Sequence, residues 1–243
     1  MWCGFCVRSK LEGAVCLGAV LILGGASIAA ESAEPPEGMV YVPAGPFIMG
    51  SNAGDADEMP KHTARTGAFF IDKYEVSNAE FREFDPDFSF PEGRENHAAK
   101  VTWEQAAAYA EWAGKRLPTE KEWEKAARGT DGRTFPWGES YSAGFIAWDE
   151  EDARGGSVAK PESPYGCADI AGGAWEWTAD WYQPYAGNET PSPAYGEKYK
   201  VMRGGASFNG RAQVRTTHRY YLPPDTTGGY YTGFRCVKDV SGQ

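Results

Sequence analysis

After its first thirty residues the sequence has no apolar run long enough to cross a membrane, which takes about 20 residues in a helix. The first thirty residues contain one candidate, "AVCLGAVLILGGASIAA", which follows Arg8 and Lys10 and ends in small residues. This pattern is typical of a signal peptide cleaved after Ala29 or Ala30. An uncleaved anchor is the alternative, which the run's length of about 17 residues disfavours. We therefore expect a signal peptide over 1–30, a periplasmic or secreted protein, and no membrane span after cleavage.

Basic clusters are also lacking. The chain has 24 lysines and arginines against 34 aspartates and glutamates, for a net charge of −10, and removal of residues 1–30 leaves −11. An acidic chain without a basic patch argues against nucleic acid and anionic membranes as partners. The acidity suits cations, although solubility explains it equally well. Residues 31–37 are polar and proline-containing, and we expect a disordered leader there and a single domain over 38–243.

Cysteine and histidine are scarce. The chain has five cysteines, and three of them fall in the predicted signal peptide. The remaining pair, Cys167 and Cys236, favours one disulfide in an oxidising compartment. Two buried thiols are the alternative, because the sequence does not show whether the α-carbons are within reach. The three histidines, His62, His97 and His218, are far apart in the sequence and form no ligand pair, which argues against an iron site.

Three helix starts share one signal, the capping box, in which a hydroxyl residue is followed three positions later by Glu or Gln. The boxes begin at Ser77, Thr102 and Thr119, and the third predicted helix covers about Glu120–Arg128. Before them, "MVYVPAGPFIMGS" predicts a hairpin, and after Gly129 the chain is rich in glycine, proline and aromatic residues. Strands, then helices, then an irregular segment with strands at its end predict an α+β fold, without the βαβ alternation of nucleotide-binding domains.

The stretch "ADIAGGAWEWTADWY" predicts a strand with Glu176 between Trp175 and Trp177. Alternate residues face opposite sides of a strand, so the tryptophans should face the core and Glu176 the other side. The two glycines between Asp169 and Glu176 allow a sharp turn that brings the carboxylates together. Carboxylates and turn carbonyls are the hard oxygen ligands that suit calcium. The alternative is that Glu176 only caps backbone N–H groups.

Six motifs then follow one another in order: "GMVYVPAGPFIMGS", "FFIDKYEVSNAEF", "VTWEQAAAYAEWAGKRLPTEKEWEKAARG", "FPWGE", "SPYGCADIAGGAWEWTADWY" and "RGGASF" with "GFRCVKD". Together they closely resemble the formylglycine-generating enzyme, or sulfatase-modifying factor, domain family over residues 38–239. The resemblance implies a loop-rich variant of the C-type lectin fold. It also implies a structural calcium ion bound by the side chains of Asp169 and Glu176 and the carbonyls of Gly172 and Ala174. A second family calcium loop maps poorly, near Asp152.

The resemblance is less specific for chemistry. In true formylglycine-generating enzymes, a cysteine pair between the "RGGS" and "GFRC" motifs binds copper and activates oxygen. Here the stretch from Ala206 to Thr232 contains no cysteine, and Asn209 and Val214 fall nearest to the two cysteine positions. Soft thiolates are the ligands that suit Cu(I). We therefore expect neither copper nor formylglycine formation.

Two classes of function remain. The first is a periplasmic maturation or oxidation factor for a peptide, siderophore or protein client, with His218 as the catalytic candidate because imidazole readily carries protons near neutral pH. Its candidate cleft residues are Ser207, Asn209, Arg211, Arg215, Arg219 and Tyr220. For Arg215 and Arg219 the alternative is a buried structural role. The second class is a non-catalytic binding or accessory module for a periplasmic redox enzyme or ligand, with "YYLPPDTTGGYYTG" as its display surface.

Overall fold

The computed structural model describes residues 34–146, 161–206, 208–226 and 232–240. The chain divides into two units, Met1–Glu31 and Ser32–Gln243, and every described residue belongs to the second. The predicted signal peptide lies outside the described residues, as do Asp152 and Ser207. Within the described ranges, no helix combines the length and the apolar character needed to span a bilayer.

Short helices lie between N-terminal and C-terminal strands, and most of the remaining described chain is turns and loops. In chain order the elements are β1 (Met39–Val42), β2 (Gly45–Met49), β3 (His62–Thr66), β4 (Phe69–Asp72), α1 (Asn78–Phe84), α2 (Trp103–Trp112), α3 (Glu120–Arg128), β5 (Trp175–Trp181), β6 (Lys200–Arg203), β7 (Tyr220–Leu222), β8 (Thr232–Gly233) and β9 (Val237–Asp239). Single 3₁₀ turns cover Ala56–Glu58 and Ala143–Phe145. The predicted α+β class is confirmed.

The described strands form three small sheets, ordered β1-β4-β9, β2-β3 and β7-β6-β5-β8. All pairs are antiparallel except β5 with β8. The predicted β1–β2 hairpin is wrong, because β1 pairs with β4 and β2 pairs with β3. The Lys125 ammonium of α3 donates to the carbonyls of Pro43 and Gly45 at 2.5 and 3.2 Å. The connection between β1 and β2 is thus bound to α3, and the two strands pair with β4 and β3 and not with each other.

All three predicted capping boxes are present. The side chains of Ser77, Thr102 and Thr119 accept from the backbone N–H three residues on, and the Glu or Gln there bonds back to the cap. The third helix covers Glu120–Arg128 and ends at Gly129 with a φ of 71°, as predicted. Local hydrogen bonding therefore fixes where each helix starts, before any tertiary contact is considered.

Strand β5 is buried on both faces and separates two parts of the core. Trp175 and Trp177 pack with α1 and α2, against Phe81 and its neighbours. Glu176 faces the other side, where the indole N–H of Trp123 donates to its carboxylate at 2.8 Å. The predicted alternation is confirmed, but Glu176 is 0 % exposed because α3 covers this face. The strand is thus an interior strand with a charged residue on its second face.

The structure differs from the predicted disulfide. Cys167 and Cys236 are free, buried thiols, and they belong to two different hydrophobic clusters. Their backbones are fixed by separate partners, Ser163 Oγ for the Cys167 N–H at 3.1 Å and Asp72 Oδ2 for the Cys236 N–H at 2.9 Å. Burial raises the pKa of the Cys167 thiol to about 11 and that of Cys236 well above its ordinary value. Both thiols are therefore protonated at neutral pH.

Candidate functional site

A charged cluster forms where the 3₁₀ turn Ala56–Glu58 lies against the segment that carries Arg215 and His218. His218 Nδ1 lies 3.1 Å from Asp55 Oδ2 and 3.7 Å from Glu58 Oε1. Arg215 Nη2 contacts both carboxylates, at 3.3 Å from Asp55 Oδ2. We call Asp55, Glu58, Arg215 and His218 the carboxylate–histidine cluster. It joins two predicted site residues, Arg215 and His218, to two carboxylates outside the predicted site.

Glu58 is the buried member of this cluster. It is 0 % exposed, its Oε1 accepts from the Asp55 N–H at 3.1 Å, and its Oε2 has no hydrogen-bond partner among the described residues. Burial raises the pKa of Glu58, but hydrogen bonds from His218 and Thr217 and the charge of Arg215 outweigh it and hold the pKa at about 2. Glu58 is therefore a buried, ionised carboxylate at neutral pH.

Other groups anchor the turn that carries the two carboxylates. The Tyr182 hydroxyl donates to Asp57 Oδ2 at 2.7 Å, and Arg219 Nη1 donates to the Asp57 carbonyl at 3.0 Å. The Asn188 amide donates to the carbonyls of Ala56 and Met59 at 2.7 and 2.8 Å. The turn therefore keeps its place whether or not His218 is present.

A local signal for this turn is present in the sequence. Asp55 and Glu58 form a capping box of the same kind as those at the helices, with an aspartate in place of the hydroxyl residue. A Cβ on Gly54 would lie 2.0 Å from Glu58 Oε2, so the glycine makes room for the carboxylate. What the sequence does not show is the contact with His218, which lies 163 residues after Asp55.

The structure places Arg219 in the interior, not in an open cleft. Its Nε donates to Glu120 Oε1 at 2.6 Å and its Nη2 to Glu120 Oε2 at 3.0 Å. Arg203 donates to the same carboxylate at 3.0 Å and to Glu124 at 2.6 Å. Arg219 thus has the structural role that was the alternative at the sequence level. Arg215 is different, because its side chain is 20 % exposed and, among the described residues, its side-chain hydrogen bonds go to the cluster carboxylates alone.

Of the other predicted cleft residues, those that the structure describes do not join the cluster. Asn209 Oδ1 accepts from the Ala206 N–H at 2.7 Å, which closes a turn after the "RGG" motif. Arg211 is exposed, and Ser207 lies outside the described residues. Val214 is 0 % exposed and belongs to a hydrophobic cluster. The two positions nearest to the family's cysteines therefore have structural roles here.

Tyr220, the last predicted cleft residue, belongs to a row of aromatic rings beside His218. Its ring centroid lies 4.9 Å from that of Trp175, which lies 5.7 Å from that of His218. On its other side the row continues to Tyr221 at 6.1 Å and from there to Tyr182 at 4.2 Å. Tyr220 is 39 % exposed. An aromatic surface whose exposed ring is Tyr220 thus borders the carboxylate–histidine cluster, while Trp175 and Tyr182 behind it are buried.

The loop before β5 contains part of the predicted calcium site. Asp169 has a φ of 52°, in the left-handed region. A Cβ on Gly204 would lie 3.1 Å from the carbonyl oxygens of Ala174, a predicted ligand, and of Ile170, which was not predicted, so both oxygens lie beside this glycine. The N–H of Gly172 donates to the Gly204 carbonyl at 3.0 Å and holds the loop against β6. Converging carbonyls are suitable donors for calcium.

The second predicted side-chain ligand, Glu176, forms an ion pair. Arg235 donates to it from Nε and Nη2, each at 2.7 Å, so side chains and not backbone N–H groups satisfy this carboxylate. Beside it, burial raises the pKa of Glu75 to about 8, with Arg235 lowering it and Glu176 and Asp169 raising it further. In the carboxylate–histidine cluster, one ligand atom from each side chain lies within 4.8 Å of the others. Within the described ranges, Glu75, Asp169 and Glu176 do not meet this criterion. Calcium stays a prediction, supported by an excess of acidic groups around one guanidinium.

The sequence matches the family model described as "Sulfatase-modifying factor enzyme 1-like domain" over residues 26–240. The chain belongs to this family. The formylglycine-generating enzyme of Thermomonospora curvata is 32% identical over an alignment of 289 positions, gaps included. The alignment covers 85% of this chain and 95% of that enzyme. The bovine formylglycine-generating enzyme is 30% identical over 284 residues, or 85% of this chain and 76% of that enzyme.

The family domain also occurs within larger proteins. The "Serine/threonine-protein kinase pkn1" of Chlamydia pneumoniae is 33% identical over 241 residues, which cover 84% of this chain. The chain spans only 38% of that kinase's length. A likeness of this extent concerns the shared domain.

Solved structures confirm the predicted fold of this sulfatase-modifying-factor domain, the loop-rich C-type-lectin-like variant. PvdO from Pseudomonas aeruginosa superimposes with a TM-score of 0.68 at 22% identity, over 83% of this chain and 94% of PvdO. Treponema denticola variable protein 1 superimposes with a TM-score of 0.65 at 22% identity, over 82% of this chain and 94% of that protein. CarF superimposes with a TM-score of 0.60 at 16% identity, over 85% of this chain and 99% of CarF. At these identities the likeness concerns the fold.

Proposed function

We propose that the protein is an exported, copper-independent maturation factor of the sulfatase-modifying-factor family, which acts on a peptide, siderophore or protein client. His218 is its reactive side chain. The observation that carries this proposal is the 3.1 Å contact of His218 Nδ1 with Asp55 Oδ2. His218 lies between the "RGG" and "GFRC" motifs, in the segment where formylglycine-generating enzymes carry their cysteine pair. Export is supported by the N-terminal sequence pattern.

The geometry suits proton transfer. A carboxylate beside Nδ1 keeps the imidazole proton on that nitrogen, which leaves the lone pair of a neutral ring on Nε2. Within the described part of the chain, His218 Nε2 makes no hydrogen bond. It is therefore available to a client that packs on the exposed ring of Tyr220, which lies against the buried Trp175.

A binding or accessory module without catalysis is the second candidate. It is favoured by the exposure of two large aromatic side chains, Phe208 at 52 % and Tyr220 at 39 %. Aromatic side chains with accessible faces supply large contact areas at low entropic cost. In this function the lectin-like scaffold presents the aromatic surface, and His218 contributes only packing.

The test compares four strains of the source organism: one that lacks the gene, and three that carry wild type, His218→Asn or His62→Asn. His62 is the matched control because its ring bonds the Pro60 carbonyl, outside the cluster. Mass spectrometry of exported proteins, peptides and siderophores should show one client whose mass changes in the deletion strain. Wild type and His62→Asn should restore it, and His218→Asn should not. Restoration of the client by His218→Asn would overturn the catalytic role of His218 and favour the accessory function.

A further inference from the structure

We propose that Asp55, Glu58 and His218 together bind one divalent transition-metal ion of the Mn²⁺, Fe²⁺ or Zn²⁺ class. The use of such an ion in maturation chemistry rests on the proposed function. With the ion on Nδ1 the imidazole proton lies on Nε2, so His218 then acts as a ligand, and it is a proton acceptor only in the state without the ion. Binding itself rests on the geometry of the cluster, and it can be tested without a client.

The separations of the ligand atoms fit a metal ion. One oxygen or nitrogen atom from each of the three side chains lies within 4.8 Å of the others. A metal about 2.1 Å from two ligands at octahedral or tetrahedral angles places them roughly 3.0–3.4 Å apart. His218 Nδ1 lies 3.1 Å from Asp55 Oδ2 and 3.7 Å from Glu58 Oε1. For the two His218 contacts, closing onto an ion would therefore take shifts of only a few tenths of an ångström.

The donor chemistry selects the class of ion. One imidazole nitrogen with two carboxylate oxygens suits Zn²⁺, Fe²⁺ and Mn²⁺. Calcium and magnesium prefer oxygen ligands alone, and Cu(I) prefers thiolates, which are missing from the cluster. Three protein ligands leave coordination positions open to water or a client, as catalytic metal sites do.

An orphaned oxygen points to a missing ligand. Glu58 Oε2 is buried without a hydrogen-bond partner among the described residues. Buried carboxylate oxygens in proteins are almost always paired or coordinated. Oε1 is the oxygen that faces His218 and Arg215, so an ion supplies a partner to Oε2 when Glu58 binds it through both oxygens. The anchored 3₁₀ turn holds the carboxylate in place for it.

Arg215 is a built-in competitor for the same oxygens. Its Nη2 contacts both carboxylates, but its buried Nε has no hydrogen-bond partner in the described part of the chain. The guanidinium groups of Arg203 and Arg235 differ, because each also donates to backbone carbonyls. Arg215 lacks such backbone partners in the described part of the chain, so we expect it to turn away from the carboxylates when a dication arrives. Its removal should strengthen metal binding, whereas a purely structural salt bridge predicts only lost stability.

The experiment titrates the purified protein with Mn²⁺ and, separately, Zn²⁺ after chelator treatment and in excess calcium. Electron paramagnetic resonance counts free Mn²⁺, and calorimetry follows Zn²⁺. One equivalent of either ion should bind the wild type. Asp55→Asn and His218→Ala should each weaken binding about tenfold or more, and Arg215→Ala should tighten it. Asp131→Asn, at an exposed carboxylate paired with Arg133, is the matched control and should bind as wild type.

Circular dichroism melts of each variant establish that it is folded before titration. No binding by folded wild type, or binding that Asp55→Asn and His218→Ala leave unchanged, overturns the metal site. If binding fails but His218→Asn still abolishes client maturation, the proposed function survives with His218 as a proton carrier. If the metal binds but the client matures without His218, the site stands and the proposed function fails.

Discussion

Arg235 holds both carboxylate oxygens of Glu176, with Nε and Nη2 each 2.7 Å from an oxygen, and both side chains are 0 % exposed. The same guanidinium donates to the carbonyls of Asp72 and Lys73 at 3.1 and 2.8 Å. One buried ion pair thus joins the "GFRC" motif, the tryptophan strand β5 and the end of β4. The pairing of β5 with β8 brings the two motifs together, and the ion pair neutralises the charges that they place in the core.

We expect Arg235→Met to destabilise the protein strongly. Removing one partner of a buried pair leaves an uncompensated charge, which costs about 3–5 kcal/mol. For a domain of this size that lowers the melting temperature by roughly 6–20 °C. The matched control is Arg133→Met, which breaks an exposed pair with Asp131 and should cost about 0–1 kcal/mol. Thermal melts followed by circular dichroism compare the two, and similar shifts would contradict the central role of the Glu176–Arg235 pair.

The sequence predicted what local rules determine. The capping boxes at Ser77, Thr102 and Thr119 bond within three residues of each helix start, and the alternation in β5 follows from strand geometry. The β1–β2 hairpin failed because Lys125, about 80 residues away, binds the carbonyls between the two strands. Such a contact depends on tertiary packing, which overrides turn chemistry.

The candidate site shows the same division. His218 was identified from its side-chain chemistry, and the Asp55–Glu58 capping box was available as a local pattern. Their meeting was not predictable from one sequence, because 163 residues separate Asp55 from His218. The burial of Arg219 likewise depends on Glu120, 99 residues away.

We expect the purified protein to hold no stoichiometric copper and to leave a sulfatase-type cysteine peptide unmodified. The segment from Ala206 to Thr232 contains no thiolate ligand for Cu(I), and Val214, near one family cysteine position, is packed in the core. Elemental analysis measures the metal, and peptide mass spectrometry measures the reaction. The formylglycine-generating enzyme of Thermomonospora curvata is the positive control. Peptide oxidation by this chain, or one tightly bound copper ion, would contradict the prediction.

We expect Cys167 and Cys236 to resist thiol reagents in the native protein. Both are buried, and the raised pKa values keep them as thiols, which are poor nucleophiles. Maleimide labelling followed by peptide mapping should find both unlabelled natively and both labelled in urea without reductant. Labelling in urea only after reduction would show that the exported protein contains a disulfide in place of two thiols.

We expect the contribution of Glu122 to stability to depend on pH. Arg116 donates to both of its oxygens at 2.8 Å. Burial raises the pKa of Glu122, but Arg116 and Thr119 lower it more, so it lies below the ordinary value of 4.5. A lowered folded-state pKa gives stability that is present above the unfolded value and lost as pH falls through the folded one. Glu122→Gln should cost about 2 kcal/mol at pH 7, and the cost should shrink as the pH falls below 4.5.

Urea unfolding at several pH values between 7 and about 3 measures this difference. Glu162→Gln is the control, because Glu162 is 46 % exposed in its pair with Lys73 and should contribute little at any pH. A cost for Glu122→Gln that stays constant over the whole range would mean that its packing, and not its charge, stabilises the helix start.

The last prediction is that calcium stabilises the loop before β5. An ion that binds the folded state and scarcely the unfolded chain adds about 2.7 kcal/mol at a hundred times its dissociation constant. For this domain the melting temperature should rise by roughly 5–10 °C. Asp169→Asn is the sharpest variant, because asparagine tolerates the φ of 52° and only the charge is lost. Glu176→Gln is less informative, since it also weakens the ion pair with Arg235.

Asp169→Asn should melt at the same temperature in chelator and in millimolar calcium, whereas the wild type and the Asp131→Asn control should both respond to calcium. The carbonyls of Ala174 and Ile170 remain in the variant, so a partial response would measure what the main-chain donors supply alone. We expect the calcium response to be lost in full, because Glu75 cannot supply the missing negative charge. Burial and like charge raise its pKa to about 8, so its carboxyl is protonated at neutral pH. A wild-type melt that is identical in chelator and in calcium would show that Arg235 alone compensates these carboxylates.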